Sequence, residues 1–461
     1  MHTNTIVTNT NNFYQGHNPY DLIAAYGSPL YVYSERIFRQ SCRAMASLCQ
    51  YPNFRVNYAI KANTNLSLLK IAHQEGLCAD VSSQGEAVAA LAAGYTSKEI
   101  MFIVNNVSPE EMQYAISQGF CVSVDSLSQL AAYGRLNPGG NVVVRFNPGM
   151  GGGHHEKVIT GGDNTKFGIS ADDIQEVKKV LAEHRLNLIG INHHIGSQND
   201  NDFYLACVQE LLDIARQFPD LEIIDFGGGF SIPYNKQHGE KPQDLEQLGE
   251  ALTQRMYDFA AEYGKNLQFI IEPGRFICAE SGVLLGTIHN LKHNGATKYV
   301  GCDVGFSVFA RPTLYDSHHD IEVYCKNDAK NESGTTTDGI GAVSVSGAVN
   351  CGGASASGGA NGGASVGSGA YVDTANDIAE VVTIVGNQCE DGDYIVKERL
   401  LPRLTEGDVI GILDAGAYGY SMSSQYNLRL RPAEVLICED GIIRIIRRRD
   451  TYDDLLRNMQ V

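Results

Sequence analysis

Short apolar runs and longer amphipathic runs alternate along the chain from about residue 53 to about residue 285. Residues 56–60 (VNYAI) read as a strand ending at Lys61, and 65–76 (NLSLLKIAHQEG) as a helix closed by Gly76. The pairing recurs as CADVSS with GEAVAALAAGY, EIMFIVNN with SPEEMQYAISQG, and CVSVDS with SLSQLAAYG. It continues as NVVVRFNPG with DDIQEVKKVLAEH, LNLIGINHHIGS with YLACVQELLDIARQF, and LEIIDFGGGF with LEQLGEALTQRMYDFAAEYG, and it ends on LQFIIEPGRF. One helix carries its own boundaries: Ser108 as N-cap, Pro109 in the first turn and Gly119 as the stop. About eight βα units over about 230 residues match a (β/α)8, TIM-like barrel. A doubly wound open sheet is the competing architecture; repeat count and length favour the barrel.

The flanks change period. SPLYVYS near the start reads as a strand. GVLLGTIHNLKH, KYVGCDVGFSVF, EVVTIVG, DVIGILD and RPAEVLICEDGIIRIIRRR follow the barrel region with turn signals between them. The expectation is a barrel over 36–285, followed by a mostly antiparallel β domain over 286–461 that is completed by a strand from 1–35. Residues from about 327 to 377 break this pattern with runs such as GGASASGGANGGASVGSG. They have little to bury and are expected to form a disordered or weakly ordered surface insertion.

Composition narrows the partners. The 461 residues carry a formal net charge of −18, with 43% hydrophobic and 19% charged residues. The balance is globular. The acidic total argues against nucleic acid and anionic membrane, which reward a basic face. No stretch approaches a membrane span, and the polar start shows no secretory signal. The 11 cysteines are scattered, with no metal-like spacing, so no metal site is expected and free thiols in the cytoplasm are.

In a barrel, chemistry sits at the C-terminal ends of the strands. Four ends carry unusual residues: Lys61; His194, Gly196 and Ser197; Gly227 to Gly229; and Glu272, Gly274 and Arg275. A lysine desolvated at a strand end is expected to have a lowered pKa and to attack carbonyls. Alone, it reads more readily as a rim lysine. Successive glycines free backbone N–H groups and admit a phosphate, or simply make a tight turn. Glu272 suits a protonated ring nitrogen, or a salt bridge to Arg275. His194 is placed to lie against a planar ring, while His193 reads as a core residue. Together they are the parts required by pyridoxal 5'-phosphate.

The motifs Tyr58-Ala-Ile-Lys61-Ala-Asn63, His194-Ile-Gly-Ser-Gln198, Gly227-Gly-Gly229, Glu272-Pro-Gly-Arg275, Cys389-Glu390 and Asp414-Ala-Gly-Ala-Tyr418 resemble those of the fold-type III, alanine-racemase-like decarboxylases. Within that family the chain is similar to the members acting on diaminopimelate. The resemblance covers nearly all of the chain except its first 20 or so residues and the insertion. It implies that Lys61 holds the cofactor as a Schiff base, that His194 stacks on its ring, and that Glu272 pairs with the ring nitrogen. Ser197, Gly228, Gly229, Gly274, Arg275 and Tyr418 would contact its phosphate region. Arg275, Arg311, Tyr315, Glu390 and Tyr418 would bind an amino-acid substrate, and Cys389 would supply the final proton. Cys389 and Glu390 would come from the partner subunit of a homodimer with shared active sites. The implied reaction is decarboxylation of meso-2,6-diaminoheptanedioate to L-lysine and carbon dioxide. Relatives acting on ornithine, lysine, arginine or a carboxylated polyamine are the alternative. Three motifs depart from the family pattern: Ser83-Gln84-Gly85-Glu86, Asn192-His193-His194, and the aspartate after Cys389-Glu390.

Overall fold

A computed structural model describes residues 7–150, 161–162, 165–197, 200–324, 342–343 and 379–460. Strand β1 spans Leu30–Ser34. Eight strands then form the barrel: β2 Phe54–Ala59, β3 Cys78–Val81, β4 Ile100–Val104, β5 Cys121–Val124, β6 Asn141–Asn147, β7 Asn187–Asn192, β8 Ile223–Asp225 and β9 Gln268–Ile271. Neighbours pair in parallel in chain order. β9 pairs with β2 and closes the ring, so the open-sheet alternative falls. β4 is buried along its whole length, as expected of a strand lined by core on one face and helices on the other.

Helices cover the outside. The one at Pro109–Gln118 shows how locally this is specified: Ser108 Oγ accepts from Glu111 N at 3.2 Å, and Gly119 closes the end at φ 73°. The strands are shorter than the apolar runs suggest. The LEIIDFGGGF run leaves the sheet after Asp225, and in LQFIIEPGRF the chain turns at Pro273 and coils into a short helix, Arg275–Cys278. Glycine and proline end each strand early and leave the last residues of each run as loop at the barrel mouth.

The second sheet is mostly antiparallel. β10 (Gly282–Asn294) begins just inside the expected barrel region. β1 lies between it and the later strand Ala433–Ile437, antiparallel to the first and parallel to the second. The N-terminal strand thus completes the C-terminal sheet. Most of the Gly/Ser-rich insertion lies outside the described residues; the backbone of Ala342–Val343 pairs with Val323 and Tyr324.

A buried carboxylate joins the two parts. Glu434 accepts from Tyr33 Oη at 2.8 Å and Asn65 Nδ2 at 2.9 Å, and pairs with Arg447. Asn63, two residues after Lys61, donates to Tyr33 Oη and to the carbonyl of Gly416. The β domain is therefore tied to the loop carrying the lysine.

Candidate active site

Lys61 sits in a short turn, Ile60–Ala62, at the end of β2. Its Nζ lies 2.8 Å from Asp80 Oδ2, and 38% of its side chain remains exposed. The expected lowered pKa is overturned. Burial works against the charge, but Asp80 first, then Tyr418 and Glu272, hold the ammonium above its ordinary range. A carboxylate partner at contact distance outweighs desolvation. An amine held this way would have to lose a proton before it could attack a carbonyl, and Asp80 is the carboxylate it touches.

Glu272 follows β9 and is 4% exposed; among the described residues its Oε1 has no hydrogen-bond partner. Its carboxyl group meets that of Asp225 at the end of β8. Burial first, then Asp225 and Asp80, hold Glu272 well above the carboxylate range, while burial pushes Asp225 up to about 6. Two carboxyl groups in hydrogen-bonding contact share a proton. Protons bound more tightly in the fold add stability below the unfolded pKa, near 4, and that stability is lost as pH rises through the folded value. Cofactor-free Glu272→Gln is therefore predicted to melt at increasingly higher temperature than its parent as pH rises from about 5 to about 8. A gap independent of pH in thermal melts would remove the shared proton.

The glycine run is tightly packed. Gly227 N donates to Asp225 Oδ1 and Gly228 N donates to His194 Nδ1, both at 2.9 Å. The expectation of free N–H groups thus fails at these two positions, because neighbouring acceptors take them. What Gly228 supplies is room: a Cβ there would meet His194 Cε1 at 2.6 Å and the Glu272 carbonyl at 2.8 Å. His194 accepts through Nδ1, and burial, with Lys61 and Arg145 nearby, keeps it neutral. His193 is fully buried and pushed down to about 3 by burial, so it is a core residue. Ser197 is half-buried beyond Gly196, which takes φ 94°. Gln198 lies outside the described residues. Gly274 packs against Ala59 and Ala62, beside the lysine turn.

The β domain adds the remaining groups. Tyr418, at φ 57°, donates its backbone N–H to the Ala62 carbonyl at 2.7 Å, and the Arg275 guanidinium lies 5.1 Å from its ring centre. Arg275 Nη1 donates to Tyr234 Oη at 2.8 Å. Arg311, 1% exposed, lies 5.0 Å from the same Tyr234 ring and donates to His319 and Ser317. Tyr315 ends the short helix Arg311–Tyr315. Cys389 and Glu390 stand apart: both are exposed, with Cys389 N donating to Asn427 Oδ1 and Tyr426 donating to Glu390.

Motif reading missed Asp80, Arg145, Asp225, Tyr234 and His319. Asp80 and Asp225 are carboxylates at strand ends, and Arg145 is a charge inside the apolar run VVVRF; each was a usable signal. Tyr234 and His319 sit in loops with none. His238, His318 and Asp320 bring ligand-type atoms within 4.8 Å of one another. Their hydrogen bonds oppose a cation: Arg399 donates to His318 Nδ1, so His318 Nε2 carries the proton and faces Asp320 at 3.1 Å.

An unpartnered buried carboxyl oxygen, a reachable lysine, a neutral imidazole and a glycine cradle with no space for a Cβ fit a flat, phosphorylated, nitrogen-bearing ring. They define a pyridoxal-dependent barrel enzyme. Residues 35–279 match the family model for the pyridoxal-binding domain of pyridoxal-dependent decarboxylases. The chain is 35% identical to diaminopimelate decarboxylase of Methanothermobacter thermautotrophicus, over 97% of this chain and 95% of that one. It is 33% identical to the Escherichia coli K12 enzyme of the same name, over 94% of each. A crystal structure of diaminopimelate decarboxylase from Helicobacter pylori complexed with L-lysine superposes with a TM-score of 0.78 at 27% identity, covering 95% of this chain and 98% of that one. The chain belongs to the diaminopimelate decarboxylase family. No helix among the described residues is long and apolar enough to cross a membrane.

Proposed function

We propose that the protein decarboxylates meso-2,6-diaminoheptanedioate to L-lysine and carbon dioxide, the last step of lysine synthesis, with pyridoxal 5'-phosphate held by Lys61. One observation carries the substrate. Arg275 and Arg311 are both buried, and among the described residues neither forms an ion pair with a carboxylate. Two unneutralised guanidinium groups await an anion, and their forked donors suit a carboxylate. Ornithine and lysine bound as substrates, through the α-amino group, have no second carboxylate to place there, whereas L-lysine as product keeps the distal one.

In this reading the bound cofactor would supply an electron sink for the electron pair left on the α-carbon when carbon dioxide departs. Glu272 pairs with its ring nitrogen, and His194 covers the ring face. Ser197, Gly228, Gly229, Gly274, Arg275 and Tyr418 surround its phosphate. Arg311, Tyr315 and Arg275 orient the distal carboxylate, and Glu390 accepts from the distal ammonium. Cys389 delivers a proton to the carbon that has lost carbon dioxide. Cys389 and Glu390 serve the partner subunit's barrel in a homodimer, as the family resemblance implies; their exposure on this chain supports that reading. The chain divides into a barrel over 36–285 and a β domain over the rest. The nine described cysteines are all free, which suits a cytoplasmic enzyme. Holoenzyme given meso-diaminopimelate is expected to release carbon dioxide and L-lysine in equal amounts, with little turnover of ornithine or lysine. Turnover of ornithine alone would refute the substrate.

A further inference from the structure

The two substrate-facing arginines are braced entirely by neutral groups. Arg311 Nε donates to His319 Nε2 at 3.2 Å, and Nη2 to Ser317 Oγ at 3.3 Å. His319 Nδ1 lies 2.8 Å from the Leu413 carbonyl and donates to it, which leaves Nε2 as the acceptor. Arg275 rests on the phenol oxygen of Tyr234, whose ring centre is 5.6 Å from its guanidinium and 5.0 Å from that of Arg311. His319 packs edge-on against the same ring, 5.0 Å away.

Other arginines in the molecule are braced by acids. Arg39 pairs with Glu35 and Glu75, and Arg447 with the buried Glu434. Acid bracing is therefore available to this fold, and it is absent around the described Arg275 and Arg311.

The groups facing His319 keep it neutral. Arg311 and Tyr234 meet its ring, Phe309 stacks edge-on at 4.7 Å, and Arg399 donates to its carbonyl at 3.2 Å. Burial first, then Arg311, with His318 and Arg275 further out, holds the imidazole well below its ordinary range.

We infer that His319 and Tyr234 form a neutral clamp that determines specificity. They aim Arg311 and Arg275 while leaving both positive charges for the distal carboxylate of the substrate. The inference rests on the proposed function and deepens it. A glutamate at position 319, long enough to place an oxygen where Nε2 lies, would grip Arg311 more strongly, through a charge-assisted bond. It would also cancel the charge that attracts substrate. Better bracing with worse binding is an outcome that a purely structural role would not produce.

The test uses holoenzyme carrying His319→Gln, His319→Glu or Tyr234→Phe. Turnover of meso-diaminopimelate, cofactor absorbance, thermal melting and calorimetric binding of L-lysine are read in each. His319→Gln keeps a neutral acceptor and is expected to stay within a few-fold of the parent. His319→Glu, of the same length, is expected to keep its cofactor and its melting temperature, to raise KM at least about a hundredfold, and to lose L-lysine binding. Tyr234→Phe is expected to raise KM about tenfold at near-constant kcat, and it supplies the answer should the glutamate variant not fold. Parent-like KM and L-lysine binding in a folded His319→Glu, or an unchanged KM in Tyr234→Phe, would overturn the clamp. So would equal losses in the Gln and Glu variants. If the parent binds L-lysine but releases no carbon dioxide from diaminopimelate, the proposed function fails. The order of L-lysine affinities still decides the clamp.

Discussion

Lys61→Ala is expected to abolish turnover and remove the visible absorbance of bound cofactor. The loss should be about four orders of magnitude or more, as for other enzymes stripped of their covalent group. Two effects combine in that variant. The amine that would condense with the cofactor is gone, and Asp80, 1% exposed, loses the cation 2.8 Å away. An orphaned buried carboxylate destabilises the fold or takes up a proton. Lys61→Arg separates the two effects. A guanidinium can still face Asp80 but cannot condense with an aldehyde. It should recover much of the melting temperature lost in the alanine variant and none of the activity. Turnover in either variant, measured as carbon dioxide release, would remove Lys61 from the chemistry.

The architecture was legible because the chain repeats itself. Apolar runs of strand length, each paired with an amphipathic run and several of these closed with glycine, leave few folds open. Strand ends could then be read for chemistry, and the structure brings Lys61, His194, Glu272 and Tyr418 around one mouth. What could not be read was which neighbours meet across the barrel. Lys61 was expected to be depressed by burial, yet Asp80 on the next strand reverses the sign. Gly228 was expected to offer its N–H, yet His194 from the adjacent strand takes it. Both errors have one cause: desolvation follows from an apolar run, whereas partners depend on register. Arg311 illustrates the same limit. Its motif marked it for substrate, but only the fold shows that its braces, His319 and Ser317, carry no charge.

A mixture of two crippled variants should outperform either one. Cys389 and Glu390 are exposed on a loop beside the helix that carries Arg311: Thr313 Oγ1 donates to the Gly392 carbonyl at 3.0 Å. Asp393 shapes that loop by accepting from the backbone N–H groups of Phe306 and Gln388. The loop is therefore braced and exposed, which suits contact with a neighbour. If each site joins Lys61 of one protomer to Cys389 of its partner, Lys61→Ala and Cys389→Ala homodimers each lack one group at both sites. Random reassociation makes about half the dimers mixed, and each mixed dimer has one complete site. Activity should then rise to about a quarter of the parent's. Differently tagged variants, dissociated, mixed and purified through both tags, make the measurement unambiguous. A doubly tagged fraction with no recovered turnover would mean that the cysteine does not complete the partner's site. Recovery would also explain why Cys389 is exposed on the surface of its own chain: the site is assembled only when two copies meet.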